Sequence, residues 1–370
     1  MNFELNTVNN VKDDVNVNPQ LNSKSAVVEI FSAIIDGKDT SHFGKKVDKS
    51  VSYIKSLAEK ASFNDGRAIS ELNTIQRYAI EPKLIEAIKI FEFMGTYKSI
   101  GYDVQPMMKT YKHESIDSRF QASSSDVPFA TTSWREYPIN TMTISGGYAI
   151  DYREVQSGNF DGVAEGMDQV KIDMQNKSVY YVIAKLYDAI KHAKGVKHFS
   201  ETVGVTEQSV KEMLNVMRRY GKPSISGDYS VTSRLNDFAG HKTFGSNTIG
   251  WGEAVVAEEI RKNGLLSFYN GAPVVELPNG YNYTKVKTNS NGEKTFDLYM
   301  PEGLLFIIPK AAVSPLQIFK RGGMTTMTGD DIVTRQRLTR FDMELGAGVA
   351  EGMEHQIGLI SDLDFEVPTL

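Results

Sequence analysis

From about Asn159 to Ala193 the chain reads NFDGVAEGMDQVKIDMQNKSVYYVIAKLYDAIKHA, and this stretch constrains the fold more than any other. Val163, Met167, Val170 and Met174 step by four, three and four, which places them on one face of an α-helix. Val179, Val182, Leu186 and Ile190 continue the stripe after a slip of one residue. Asp161 and Glu165 lie near the start, where the helix dipole favours anions. Lys191, His192 and Lys194 lie at the end, and Gly195 is placed to cap it. A helix of about 33 residues is about 50 Å long at 1.5 Å per residue, roughly three times the usual length. Such a rod predicts a flat or elongated molecule. Gly162 and Gly166 weaken its first turns.

The flanking segments change character repeatedly. Residues 1–23 are rich in Asn, Asp and Val without a period and are expected to form a flexible arm. Residues 24–94 are predicted to be helical. Val47, Val51, Ile54 and Leu57 make one apolar stripe, and Ile69, Leu72 and Ile75 another. Pro82 is expected to break the second helix, with LIEAIKIFEFMG resuming up to Gly95. These stripes pack either on the chain's own core or on a neighbouring copy. Residues 101–157 read as two extended strands around the small, polar QASSSDVPFATT, a projecting hairpin with a mobile tip.

Residues 196–325 predict a mixed α/β region. Its helices are TEQSVKEMLNVMRRYG, with Val210, Met213, Leu214 and Met217 on one side, and GEAVVAEEIRKNG. Its strands are LLSFY and PVVELP around Asn270–Gly271, then TKVKT and KTFDLYM around Ser290–Asn291–Gly292. The wholly apolar LLFIIP at 304–309 is expected to be a central strand. From Ile332 the chain alternates, with Val333, Arg335, Arg337 and Thr339 on one face and Phe341, Met343 and Leu345 continuing the pattern.

Chemistry is harder to find. The 370 residues suffice for one large or two ordinary domains. There is no cysteine, which excludes disulfides, thiolate metal sites and cysteine nucleophiles. No apolar run is long enough for a membrane helix, and the N-terminus has no signal-peptide pattern. A net charge of −5 argues against a dedicated reader of nucleic-acid sequence. His42, His113, His192, His198, His241 and His355 are scattered. Glu351 and His355 are four apart, but not on a helix, and are not expected to bind metal. GAGVAEG (346–352) lacks the strand–loop–helix setting of a nucleotide loop and is better read as a bulge or close strand packing. ISGGYA (144–149) is read as a strand bend. Asp330–Asp331 is read as a solvated face. Arg335, Arg337 and Arg340 either face DNA or pair with acids of a neighbouring chain, the second being favoured by the acidic total. No catalytic, cofactor-binding or metal site emerges, and the chain is not expected to be an enzyme.

The order of these elements resembles the tailed-bacteriophage major capsid protein family, the Hong Kong 97-type fold. PMMKTYKHESIDSRF…INTMTISGGYAIDYREVQSG looks like its E-loop hairpin and return strand, VAEGMDQVKIDMQNKSVYYVIAKLYDAI like its spine helix, and GWGEAVVAEEIRKNGLLSFYNGAPVVELPN with GLLFIIPK like its axial (A) domain. RLTRFDMELGAGVAEGMEHQIGLI looks like the closing strands of its peripheral (P) domain. The match spans about residues 100–365. It implies an α+β chain divided into an N-terminal arm (1–100), E-loop (101–157), spine helix (158–195), A domain (196–325) and closing P-domain strands with a tail (326–370). It implies self-assembly into hexamers and pentamers of an icosahedral shell around double-stranded DNA, read without sequence specificity. Portal and scaffolding proteins are the implied partners, with a decoration protein as an optional one. The implied location is the virion, with assembly in the host cytoplasm and no membrane. An encapsulin-type compartment shell, or an enzyme without a recognisable motif, are the competing readings. Some family members cross-link through lysine and asparagine. Lys109 and Lys112 could be donors, but no asparagine follows Asn291, so no such bond is expected here.

Overall fold

The computed structural model describes residues 25–63, 65–113, 120, 132–151, 160–238, 258, 260–288, 292–310, 314–331, 333–334 and 336–365. The expected arm at 1–23, most of the hairpin tip, most of the GEAVVAEEIRKNG helix and the Ser290–Asn291 turn lie outside these residues. The chain is α+β. It forms two compact units, each assembled from three separate segments. The first unit takes 1–89, 142–178 and 322–345, and the second takes 90–141, 179–321 and 346–370.

In the first unit, helices α1 (Ala26–Ile35), α2 (Lys46–Ser62) and α3 (Gly66–Lys89) pack on one another. Ile30 and Phe31 of α1, Ile54 of α2 and Ile75, Ile80, Leu84 and Ile88 of α3 are fully buried. Of the two apolar stripes, Ile54, Leu57, Leu72 and Ile75 are therefore buried on the chain's own core, while Val47, Val51 and Ile69 are half-buried. Pro82 does not break α3. It is exposed, while Ala79, Ile80, Leu84 and Ile88 on either side are buried in one core. Burying four apolar side chains at roughly 1–3 kcal/mol each outweighs one lost helical hydrogen bond.

The remaining elements of the first unit are β4 (Met142–Asp151), the first half of α4 (Phe160–Lys191) and parts of β12 (Leu316–Asp331) and β13 (Gln336–Val349). β13 lies between β12 and β4 and pairs antiparallel with β4, Leu345 opposite Met142 through Gln336 opposite Asp151. The Gly146–Gly147 pair is not a bend, because it sits inside this continuous ladder. A Cβ on Gly146 would lie 2.8 Å from Met174 Cγ and 2.9 Å from Val170 Cγ1, and one on Gly147 would lie 2.8 Å from the Thr339 carbonyl oxygen. The glycines let α4 and β13 approach the strand. Gly146→Ala is therefore expected to cost about 1–3 kcal/mol by overpacking, measured as a lowered midpoint in chemical denaturation.

An ion network ties α1 to α3 and α4. Asp36 closes α1 and meets Lys83 of α3 at 2.5 Å, Lys171 of α4 at 3.0 Å and Lys38 at 3.1 Å. Lys171 is 8% exposed and also pairs with Asp168. Burial alone would raise the Asp36 pKa, but hydrogen bonds from the three lysines outweigh it and bring it down to about 2.

In the second unit a six-stranded sheet runs in the order β5-β14-β11-β6-β8-β7. These strands are β5 (His198–Thr202), β6 (Lys222–Gly227), β7 (Phe268–Tyr269), β8 (Ala272–Glu276), β11 (Leu304–Lys310) and β14 (Gly358–Asp362). The sheet is mixed: β5 and β14 are parallel, as are β6 and β8, while β11 is antiparallel to both of its neighbours. The expected central strand is β11, buried from Leu304 to Pro309. Helix α5 (Glu207–Met217) lays Val210, Met213, Leu214 and Met217 into this core. The β7–β8 hairpin turns at Asn270 and Gly271, with φ of 47° and 73°, the left-handed pair that a tight two-residue turn requires. Asp362 ends β14 with a fully buried carboxylate. It meets Arg234 at 2.6 Å and accepts from the amides of Gly204 (2.8 Å), Val205 (3.3 Å) and Asp364 (3.0 Å).

Candidate assembly surfaces

Two antiparallel ribbons of the second unit carry exposed apolar side chains. In the first, β2 (Met107–His113) pairs with β3 (Thr132–Pro138), Met107 opposite Pro138 through His113 opposite Thr132. Because side chains alternate across a strand, the ribbon has two faces. Met108 is buried on one of them with Ala350 and Met353, against Tyr137 and Ile139. The Tyr137 hydroxyl accepts from the Glu351 amide at 2.6 Å and donates toward Met108 Sδ at 2.9 Å. A Cβ on Gly348 would lie 2.9 Å from Met108 Cε, so GAGVAEG is a close-packing strand segment. The other face shows Met107, Lys109, Trp134 and Glu136 to solvent, Trp134 at 59%. Lys109 Nζ lies 2.7 Å from Glu136 and 5.2 Å from the Trp134 ring centroid, so this lysine is held by its own ribbon. The Lys112 side chain lies outside the described residues.

The second ribbon joins β9 (Tyr281–Thr288) and β10 (Lys294–Leu298). It exposes Tyr281, Tyr283, Val286 and Phe296, with Tyr283 at 71%, and the Tyr283 and Phe296 rings meet edge to face at 5.1 Å. Large apolar groups rarely cluster in solvent on an isolated chain, and such patches mark contact surfaces. The alternating aromatics of YNYTKV and KTFDLY are the signal for this ribbon in the sequence, but alternation alone does not single them out as a surface.

One of the basic positions near the end of the chain, Arg337, is placed differently from the expectation. Arg337 is 7% exposed and buried within the first unit instead of facing solvent. Its charge acts on the Tyr148 hydroxyl, which receives a hydrogen bond from Gln76 at 2.9 Å. Arg340 pairs with Asp342 of its own strand at 2.8 Å and donates to Ser145 Oγ at 3.2 Å. Arg335 and the Asp161 side chain lie outside the described residues. Asp331 accepts from the Val333 amide and the Thr334 hydroxyl, which lower its pKa. The His355 ring packs on Tyr220, 5.3 Å between centroids, with His198 beyond it. The His198 pKa is lowered by burial and by the His355 charge. Among the described residues no three His, Asp or Glu are arranged to hold a metal, and no helix is long and apolar enough to cross a membrane.

No curated protein matches the chain. Solved structures similar to it include the capsid of the cyanophage P-SCSP1u (12% identity, TM-score 0.47, 74% of this chain and 87% of that one). The capsid of a native GTA particle matches at 9% identity and TM-score 0.49, over 74% and 89%. The head of the Helicobacter pylori bacteriophage KHP40 matches at 11% identity and TM-score 0.48, over 74% and 90%. Residues 7–361 match a family model described as "SPbeta prophage-derived putative capsid protein YonB". With nearly the whole length matched, the chain belongs to the YonB family of prophage-derived capsid proteins.

Proposed function

We propose that this chain is the major capsid protein of a tailed phage, closing into hexamers and pentamers of an icosahedral head around double-stranded DNA. The observation that carries the reading, beside family membership, is the solvent face of the β2–β3 ribbon. It holds Trp134, Met107 and the Lys109–Glu136 pair on a two-stranded element whose other face already packs on its own chain. In this assignment residues 101–157 are the E-loop, 158–195 the spine helix, 196–325 the A domain and 326–370 the closing P-domain strands. The β9–β10 ribbon is a second contact. A stable interface buries about 1,600 Å² in total, and several per subunit, closed by symmetry, hold a shell whose pairs bind weakly. Portal and scaffolding proteins are the proposed partners, and the virion the proposed location. The work of the chain is assembly and not catalysis.

Electron microscopy and sedimentation of the expressed chain test this directly. Closed shells are the expected result, and a monomer or small oligomer at micromolar concentration overturns it. Trp134→Ser is expected to abolish or strongly slow shell formation while leaving the far-ultraviolet circular dichroism unchanged, because the side chain removed is an exposed one. Particles recovered from producing cells are expected to contain long duplex DNA. Shells holding only protein cargo would reassign the chain to a compartment.

A further inference from the structure

One face of α3 borders a polar pocket of about 300 Å³ within the first unit, lined by Ser70, Asn73, Thr74 and Arg77 of the helix and Thr326 of β12. Among the described residues no carboxylate lines it. Arg77 Nε and Thr326 Oγ1 are buried and have no hydrogen-bond partner among those residues. Arg77 lies over the ring of its neighbour Tyr78, 4.7 Å from the centroid, a contact that leaves its Nε proton unclaimed. Asn73 Oδ1 already accepts from Thr328 at 2.5 Å, so the amide nitrogen of Asn73 is what remains to donate. The acids nearest along α3 are engaged elsewhere, Glu71 with the Tyr53 hydroxyl and Glu81 with the Met324 amide. Arg337, on β13 of the same unit, likewise has a buried Nε without a partner among the described residues.

The Thr74 hydroxyl is spent on the Ser70 carbonyl, but a guanidinium with a buried unsatisfied N–H, beside a hydroxyl and an amide that can still donate and no acid, is what an oxyanion needs and what an isolated fold avoids. We propose that this pocket is a phosphate-binding site, with Arg77 as its charged anchor and Thr326 and Asn73 as neutral donors. The phosphate is either a free ion or a group of a nucleic-acid backbone. The site does not depend on the shell reading.

Isothermal titration of the full-length chain with inorganic phosphate, at ionic strength held constant with chloride, is expected to show one saturable site per chain. Arg77→Gln is expected to weaken that affinity at least about tenfold, and Thr326→Val, which keeps the volume and removes one donor, several-fold. The absence of saturable binding overturns the proposal. So does an affinity unchanged in Arg77→Gln or, if that variant does not fold, unchanged in Thr326→Val. A competing short DNA duplex identifies the source. Displacement of phosphate assigns the site to backbone phosphodiesters, and its retention assigns it to the free ion, both in keeping with a phosphate site.

Discussion

Asp362→Ala is expected to lower the stability of the second unit by about 3–5 kcal/mol. The carboxylate is wholly shielded, and four groups converge on it: the Arg234 guanidinium and the amides of Gly204, Val205 and Asp364. Truncation leaves a half-buried cation and up to three backbone donors unsatisfied where water has little access. Asp362→Asn, which keeps one acceptor and loses the charge, is expected to fall between the wild type and Ala. Thermal or urea unfolding followed by circular dichroism measures both. A midpoint for Asp362→Ala indistinguishable from that of the wild type would show that the network contributes nothing net.

The second large effect is expected at Asp36, whose replacement by Asn costs about 3 kcal/mol because it leaves the part-buried Lys83 without a carboxylate and takes one of two from the buried Lys171, which keeps Asp168. This effect carries a pH signature. The carboxyl titrates at 3.8 when unperturbed and at about 2 in the folded chain. Folding therefore favours its charged form, and the associated stabilisation is complete above pH 3.8 and falls away as the pH drops toward 2. It amounts to on the order of 2 kcal/mol. The gap in unfolding free energy between wild type and Asp36→Asn should accordingly narrow over that acid window. A gap that is constant from neutral pH to pH 2 would refute the network as its source.

Periodicity makes some elements legible and leaves others hidden. The long helix is legible from Asn159 to Ala193 and spans Phe160–Lys191, because only a helix keeps an apolar stripe of that length on one side of the chain. The slip in the stripe before Val179 falls where the helix passes from one unit to the other, so each half answers to a different core. β11 and α5 are readable for a related reason: the apolar run of β11 is buried throughout, and the Val210, Met213, Leu214 and Met217 stripe of α5 is buried too. β12 is not. Its sequence LQIFKRGGMTTMTGDD starts apolar, carries a Gly–Gly pair, passes through three threonines and ends in two aspartates, so no single period marks its 16 residues. Its parallel pairing with β1 (Gly95–Ile100) joins residues more than two hundred positions apart, which local pattern does not encode. Pro82 and Gly146–Gly147 mislead for a related reason. A local rule gives the conformational preference of a residue, whereas burial on both sides of Pro82 and the approach of Met174 to Gly146 are properties of the packed chain. The candidate surfaces are half legible: the β2–β3 ribbon from its alternating strands, and the burial of Arg337 not at all, since an arginine in an alternating strand reads as outward-facing.

The threading of the chain has a consequence for its synthesis. The backbone passes between the two units five times, at residues 89/90, 141/142, 178/179, 321/322 and 345/346. Neither unit is thus a single uninterrupted stretch of chain. The first lacks β13 until residue 345 has left the ribosome, and the second lacks the strand holding Asp362 until still later. A nascent chain of this kind keeps its first core open until β13 has emerged and its second until the strand holding Asp362 has followed.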